Sequence, residues 1–204
     1  MNSLINDTHA VHFEALFRRD ADPWRTRTRW YERRKRALAL ASLPRERYER
    51  AYEPACGAGE LTAALAQRCG QVVASDASSA AVQTARKRLA VARNVQVHHA
   101  RVPDSWPDGS FDLIVIGELG YYLSEDDLAR TAEACRASLR SDGNLLACHW
   151  RRPESDMHRA GAQVHELLQQ RTALNRVSHY EDDDFLLDIW SPDPSSIAQR
   201  EGIA

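Results

Sequence analysis

The ten residues EPACGAGELT at positions 53–62 hold a carboxylate, Glu53, four residues ahead of the first of two closely spaced glycines, Gly57 and Gly59. Glycines so placed let a backbone bend sharply and approach a ligand, and Gly59 opens into a helical pattern whose free N–H groups suit an anionic group. A dinucleotide fingerprint would need a third glycine where Thr62 stands, and no phosphate loop with its lysine occurs in the chain. Glu53 would repel a pyrophosphate, whereas it can accept from an ammonium group. The ligand called for is nucleotide-like with a positive end. Asp76, seventeen residues after Gly59, stands where an acid takes both ribose hydroxyls in dinucleotide folds.

Positioning these groups requires a strand before the glycines and a second strand before Asp76. The apolar periodicity supplies both. Two helices, over 9–19 and 28–43, precede an alternation of strand 51–56, helix 59–69, strand 71–76 and helix 78–93. The last of these places Ala81, Val82, Ala85 and Leu89 on one face. A third strand over 94–100, a turn-rich loop, and the nearly continuous apolar strand 111–118 follow, the last expected to be buried on both faces. Ser124 ahead of Glu125, Asp126 and Asp127 marks a helix start. Leu128, Ala132, Cys135 and Leu139 form that helix's apolar face, and SDG at 141–143 stops it. Strand 144–150, a helix over 155–171 and two strands, 176–180 and 184–190, close the chain. The acidic link between the last two is too short for a crossover helix, so they pair antiparallel. The expectation is a doubly wound, mostly parallel seven-stranded α/β sheet with helices on both faces, in one domain over 1–204. Residues 1–45 form a helical extension over the ligand site, and 46–204 the core. Pro54 implies that pairing of the first strand is already ending beside the glycines.

S-adenosylmethionine has the positive end, the ribose and the adenine that Glu53 and Asp76 call for. Glu53-x-x-Cys56-Gly57-x-Gly59, then Asp76, then GSFDLIVIGE at 109–118, together resemble motifs I, II and IV of the class I S-adenosylmethionine-dependent methyltransferases. The resemblance implies that fold and that cofactor, with S-adenosylhomocysteine as product. It implies a cofactor set of Glu53, Ala55, Cys56, Gly57, Gly59, Asp76, Ala77, Arg101, Val102, Glu118 and Leu119, with Trp24 contributed by the extension. Two positions depart from the common pattern. Ala55 stands where glycine is more usual, which is tolerable if its methyl faces away from the cofactor. Arg101 and Val102 replace an acid and an apolar residue around adenine, leaving backbone groups and Val102 to make that contact.

Flanking stretches narrow the resemblance. DPWRTRTRWYERRK at 22–35, PDSWPDGSFDLIVIGELGYYL at 103–123 and CHWRRP at 148–153 are similar to NodS-type methyltransferases, whose acceptor is the amine of a deacetylated sugar at the end of a chitin oligosaccharide. That implies transfer of a methyl group to an amine of a small molecule, an amino sugar by the resemblance. The alternatives are an O-methyltransferase of a small hydroxylated or carboxylated metabolite, and a non-catalytic module that binds the cofactor or RNA. GELGYY after the fourth strand lacks the Asp-Pro-Pro-Tyr pattern of nucleic-acid amine methylation, so no nucleic-acid partner is expected.

Acceptor-site candidates gather at strand carboxyl ends, which in this fold face the ligand. Glu118 either orients an amine or caps a loop. Tyr121 and Tyr122 line a pocket or only pack. His149 is a base or a satisfied interior histidine, with Trp150 and Arg151 beside it. Glu118, His149 and Tyr122 are the catalytic candidates. Tyr31, Trp106, Tyr121, Tyr122, Trp150 and Arg151 are the substrate-binding candidates, with simple packing the other reading of Tyr31, Trp24 and Trp106. His165 is core or rim. His98 and His99 are strand neighbours on opposite faces, so no metal is expected.

Composition agrees with a soluble enzyme: 43% hydrophobic, 27% charged and a net charge of −2. The longest apolar runs are too short to span a bilayer and the N-terminus lacks a signal-peptide pattern, so a cytoplasmic protein without membrane attachment is expected. Cys56, Cys69, Cys135 and Cys148 lack C-x-x-C spacing and read as reduced, buried thiols. Residues 18–50 carry twelve Lys or Arg against five acids, the pattern of a solvated helix face or of an anion-binding arm.

Overall fold

The computed structural model describes residues 3–203, with side chains from residue 9 onward. Two helices, α1 (Ser3–Arg19) and α2 (Trp30–Ser42), lead into β1 (Tyr48–Pro54), α3 (Glu60–Leu65), β2 (Cys69–Asp76), α4 (Ser79–Arg88), β3 (Val95–His99) and β4 (Phe111–Gly117). A single 3₁₀ turn, Gly120–Tyr122, precedes α5 (Glu125–Ser138), β5 (Leu139–Trp150), α6 (Gly161–Thr172), β6 (Asn175–Glu181), β7 (Phe185–Ser191) and the short α7 (Ile197–Arg200). The seven strands form one sheet in the order β3-β2-β1-β4-β5-β7-β6. β1 to β5 are parallel, and β7 runs antiparallel to both β5 and β6. No helix among the described residues is long and apolar enough to cross a membrane.

β4 shows why the sheet has two buried faces. Its apolar run alternates strictly: Ile114 and Ile116 join a cluster with Tyr52, Leu128 and Val164 on one side, while Leu113 and Val115 join Ala39, Leu43 and Leu146 on the other. Residues two apart on a strand share a face, so a continuous hydrophobic strand is stable only with helices on both sides. The helix faces read from periodicity are buried as expected, at Ala81, Val82, Ala85 and Leu89 in and after α4 and at Leu128, Ala132, Cys135 and Leu139 in and after α5. Ser124 caps α5, its hydroxyl accepting from the Asp127 amide at 3.1 Å. All four cysteines are free and buried.

Several boundaries differ from the sequence reading, each for a physical reason. β1 begins at Tyr48 because the Glu49 and Arg50 amides donate to the buried carboxylate of Asp112 at 2.7 and 2.8 Å, a tertiary contact that draws the connector into the sheet. α3 ends at Leu65, and Cys69 pairs with Tyr48 at the start of β2 instead of finishing a helix. SDG does not stop α5. The helix ends at Ser138, and residues between Leu139 and Asn144 form an irregularity in β5 opposite Phe111 and Leu113. α6 begins only at Gly161, where a Cβ would lie 2.5 Å from the Trp150 carbonyl oxygen, so glycine lets the helix close on the end of β5.

Most of the basic stretch is exposed, at Arg18, Arg19, Arg25, Arg27, Arg29, Arg33 and Arg47, but three of its charges turn inward. Arg34 pairs with Asp182, Lys35 with Glu118 and Glu32, and Arg45 with Asp142, so these charges tie the extension to the core.

Gly59 is where the turn after β1 meets the helix layer. Its φ is +80°, and a Cβ there would lie 3.0 Å from Leu89 and 3.2 Å from Ala85. Gly59→Val should therefore destabilise the protein by about 2–4 kcal/mol through left-handed strain plus overpacking. Gly202→Val should cost only about 1–2 kcal/mol, since that glycine shares the positive φ but has open space around it. Urea unfolding compares the two. Equal losses would show that packing of the turn on α4 contributes nothing.

Candidate active site

β1 and β4 are neighbours in the sheet while their connections leave in opposite directions, which opens a crevice at their carboxyl ends. A cavity of about 620 Å³ fills it, roofed by α1 and α2 and floored by the turns after β1, β2 and β4. That volume lies within the range of small-molecule sites.

The turn after β1 is wound by three residues of positive φ: Ala55 at 54°, Gly57 at 53° and Gly59 at 80°. Ala55 thus occupies a conformation in which glycine is at home, and it bears the modest strain of an L-residue there. The coil is fastened from β2. Asp76 accepts from the Gly57 amide at 2.9 Å with one oxygen and from the Ser78 amide at 2.9 Å with the other. Burial raises the Asp76 carboxyl above its ordinary value, an effect opposed by these two amides. Each oxygen keeps a lone pair for a further donor.

Glu53 is 4% exposed. Burial raises its carboxyl to about 8, while the Thr62 hydroxyl, which donates to it at 2.7 Å, pulls the other way. Thr62, at the place of a third glycine, thus orients the acid. No cation among the described side chains pairs with Glu53, and it is a strong candidate for a ligand's positive group.

At the β4 end, Glu118 holds a φ of +51°. It is kept there by its neighbours. Lys35 Nζ donates to it at 2.5 Å, the Trp150 amide donates at 3.0 Å, and the Tyr121 hydroxyl donates to the same oxygen as Trp150. Burial would lower the Lys35 ammonium, but Glu118 and Glu32 outweigh it and keep it charged above the usual lysine range. Two carboxylates therefore share one buried ammonium, and the cluster carries an excess of one negative charge. Tyr31 lies beneath, its ring 5.0 Å from Lys35 Nζ and in edge contact with Trp150. The Tyr31 hydroxyl and Trp150 Nε1 are buried without hydrogen-bond partners.

Most sequence candidates converge on this cavity: Trp24, Tyr31, Glu53, Ala55, Cys56, Gly57, Asp76, Ala77, Arg101, Val102, Glu118, Leu119, Tyr121, Tyr122 and Trp150 line it. Trp24 packs on Phe13 and Phe17 in the roof, and Tyr122 meets Phe13 edge-on at 4.9 Å. Gly59 shapes the turn without lining the cavity.

Three candidates lie elsewhere. His149 is completely buried beside the cavity, its Nε2 accepting from the Gly120 amide at 3.0 Å, and burial together with His165 pushes it well below the ordinary histidine value. It has no access to an acceptor proton. Trp106 packs edge-on against Tyr52 at 4.8 Å and donates to Ser138 Oγ, so it staples its loop to the core. Arg151 turns to the β6–β7 hairpin, where it pairs with Glu181.

Glu14, Glu32, Lys35, Phe13 and Phe17 were missed in the sequence. Glu14 on α1 has its carboxyl held down at about 2, first by Arg18 and then by the Ser78 hydroxyl, the Ala80 amide and the Ser79 hydroxyl, from all of which its carboxylate accepts. It latches the roof to the start of α4. A signal existed for α2, since Tyr31 and Lys35 stand four residues apart and share a helix face.

A methyltransferase domain model matches residues 51–143, from the middle of β1 into β5. Across 80% of the chain and 99% of the other, the structure is similar to that of a candidate methyltransferase from Pseudomonas syringae, at 50% identity and a TM-score of 0.72. The N-methyltransferase NodS of Bradyrhizobium japonicum, solved with S-adenosylhomocysteine, shares the fold at a TM-score of 0.81 and 23% identity, over 90% of this chain and 98% of that one. Nodulation protein S of Sinorhizobium fredii is 30% identical over 129 residues, covering 63% of this chain and 58% of that protein. The chain spans about half the length of the curated relatives it matches. With the coiled turn at the end of β1, the acid at the end of β2 and the seven-stranded order in place, these likenesses agree: the chain belongs to the class I S-adenosylmethionine-dependent methyltransferases.

Proposed function

We propose that the cavity binds S-adenosylmethionine between Glu53 and Asp76 and methylates an amine of a small, hydroxylated molecule of the amino-sugar kind. The residues fit the cofactor. Glu53 offers an unpaired acid to its ammonium, the 55–59 coil gives a close backbone surface, and Asp76 has lone pairs for two ribose hydroxyls. Val102 and Leu119 add apolar surface, and the Phe13, Phe17 and Trp24 roof excludes water. When bound, the cofactor supplies an already activated methyl group, so the chain's own task is alignment. Such positioning contributes on the order of 7–11 kcal/mol of the barrier.

The observation that carries the amine is the cluster of Glu32, Glu118 and Lys35, whose surplus negative charge attracts a cationic acceptor to the β4 end. Glu118 already takes three donors on its two oxygens, so it holds and orients the acceptor, and the amine reaches the methyl group after losing its proton to water. A second reading, transfer to oxygen, is favoured by the one hydroxyl Glu118 binds within the chain, that of Tyr121.

Asp76→Ala should weaken S-adenosylmethionine by roughly 10- to 150-fold, the loss of about 1.5–3 kcal/mol of charged hydrogen bonding, measured by calorimetry. Unchanged affinity with a lowered melting temperature would make Asp76 purely structural. A methyl-transfer screen with labelled cofactor over amines, deacetylated sugars and their N-acetyl forms tests the acceptor. The rate should rise with pH until the bound amine is neutral and then level. Glu118→Gln should raise the acceptor KM at least about tenfold without moving that pH profile. Equal rates on acetylated and free amino sugars would replace nitrogen by oxygen as the acceptor atom.

A further inference from the structure

A chain of hydrogen bonds leaves the acceptor end of the cavity and crosses the core toward the β6–β7 hairpin. It starts at the Gly120 amide in the 3₁₀ turn, 3.0 Å from His149 Nε2. His149 Nδ1 lies 2.9 Å from His165 Nε2, and His165 Nδ1 lies 2.7 Å from Asp188 Oδ2. The other Asp188 oxygen faces His179 Nδ1 at 2.8 Å and Arg176 at 3.6 Å. His149, His165 and Asp188 are 0%, 4% and 2% exposed, so the chain of bonds is shielded from bulk solvent, although His165 and Asp188 border a cavity beside the β6–β7 hairpin.

The direction of every bond follows from its first member. A backbone N–H only donates, so His149 Nε2 must be bare and its proton must sit on Nδ1. That proton points at His165 Nε2, which must also be bare. The His165 proton then sits on Nδ1 and is donated to the Asp188 carboxylate, which only accepts when ionised. Reversing any one link would set two donors face to face, either between the two rings or at Gly120. The turn is equally constrained by packing, since a Cβ at Gly120 would lie 2.2 Å from Val164 and 3.1 Å from His149 Nε2. Tyr121, the next residue, packs edge-on over His149 at 5.3 Å and donates its hydroxyl to Glu118.

We propose that His149 and His165 are positioning residues: a one-way hydrogen-bond chain anchored on Asp188 fixes the Gly120–Tyr122 turn and, through Tyr121, sets Glu118 at the acceptor end of the cavity. Its effect on methyl transfer rests on the acceptor reading above, whereas the chain of tautomers does not.

Nitrogen-15 NMR of the full chain at neutral pH reads the tautomers directly. His149 and His165 should both be protonated on Nδ1 and bare on Nε2, and an Nε2–H form of either ring would overturn the proposal. Two substitutions then separate positioning from bulk packing. His165→Gln keeps the direction, its amide oxygen accepting from His149 and its amide N–H donating to Asp188, whereas His165→Leu breaks both links. Amide exchange at Gly120 should quicken about tenfold or more in His165→Leu and stay near wild type in His165→Gln. The acceptor KM should rise about tenfold in the leucine variant alone, with cofactor affinity equal in both. Identical exchange at Gly120 in the two variants would overturn the proposal, as would identical acceptor KM. Should His165→Leu not fold, the wild-type tautomers decide. Should the wild type methylate neither amines nor hydroxyls, the acceptor reading falls, and the tautomers with Gly120 exchange still decide the chain.

Discussion

The structure of the site depends on one burial: a carboxyl group, Glu53, held at the end of the central strand with a hydroxyl for company and no cation. Raising that group from 4.5 to about 8 corresponds to a cost on the order of 5 kcal/mol for holding its charge in the folded protein. The sign follows from proton uptake. Between those two values the folded state binds the proton that the unfolded chain has released, so stability is full below 4.5 and is lost as the pH rises through about 8. A ligand that brings a positive group to Glu53 recovers this cost. In the proposed binding mode the neighbouring coil faces that ligand, and Asp76 fastens the Gly57 amide, which keeps the backbone wound.

The extension completes the enclosure by charge placed at two points. Glu14 latches α1 to the start of α4, and Lys35 pins α2 to Glu118. The two latches sit at opposite ends of the cavity, one beside the β2 acid and one beside the proposed acceptor region. Of the basic stretch, Lys35 is thus one charge that ties the roof to the core. Lys35 also explains how Glu118 keeps a left-handed backbone conformation, since several donors converge on its carboxylate. Strained residues of this kind persist where the surroundings over-determine them.

The alternating architecture was legible because strands and helices of an α/β fold have different hydrophobic periods. FDLIVIG read as a doubly buried strand and Ser124 as a helix cap, and both are so. The proposed cofactor end was legible for a local reason, since Glu53, the glycines and Asp76 lie at strand ends whose positions periodicity fixes. The acceptor end was less so. Lys35 and Glu14 act across 83 and 64 residues of chain, and no local pattern shows which acid a helix cation will meet. His149, Trp106 and Arg151 failed as site residues because a position at a strand end or in a loop does not reveal which way the side chain faces. The first faces α6, the second Tyr52 and the third the hairpin.

The central claim is that Glu53 waits protonated for a cationic ligand. Calorimetric titration of S-adenosylhomocysteine at pH 7, repeated in buffers of different ionisation enthalpy, counts the protons exchanged on binding. The account predicts release of close to one proton by the wild type, and almost none by Glu53→Gln, which cannot ionise. Tight binding by the wild type with no proton release would contradict it, since Glu53 would then either be charged before the ligand arrives or stay neutral beside it.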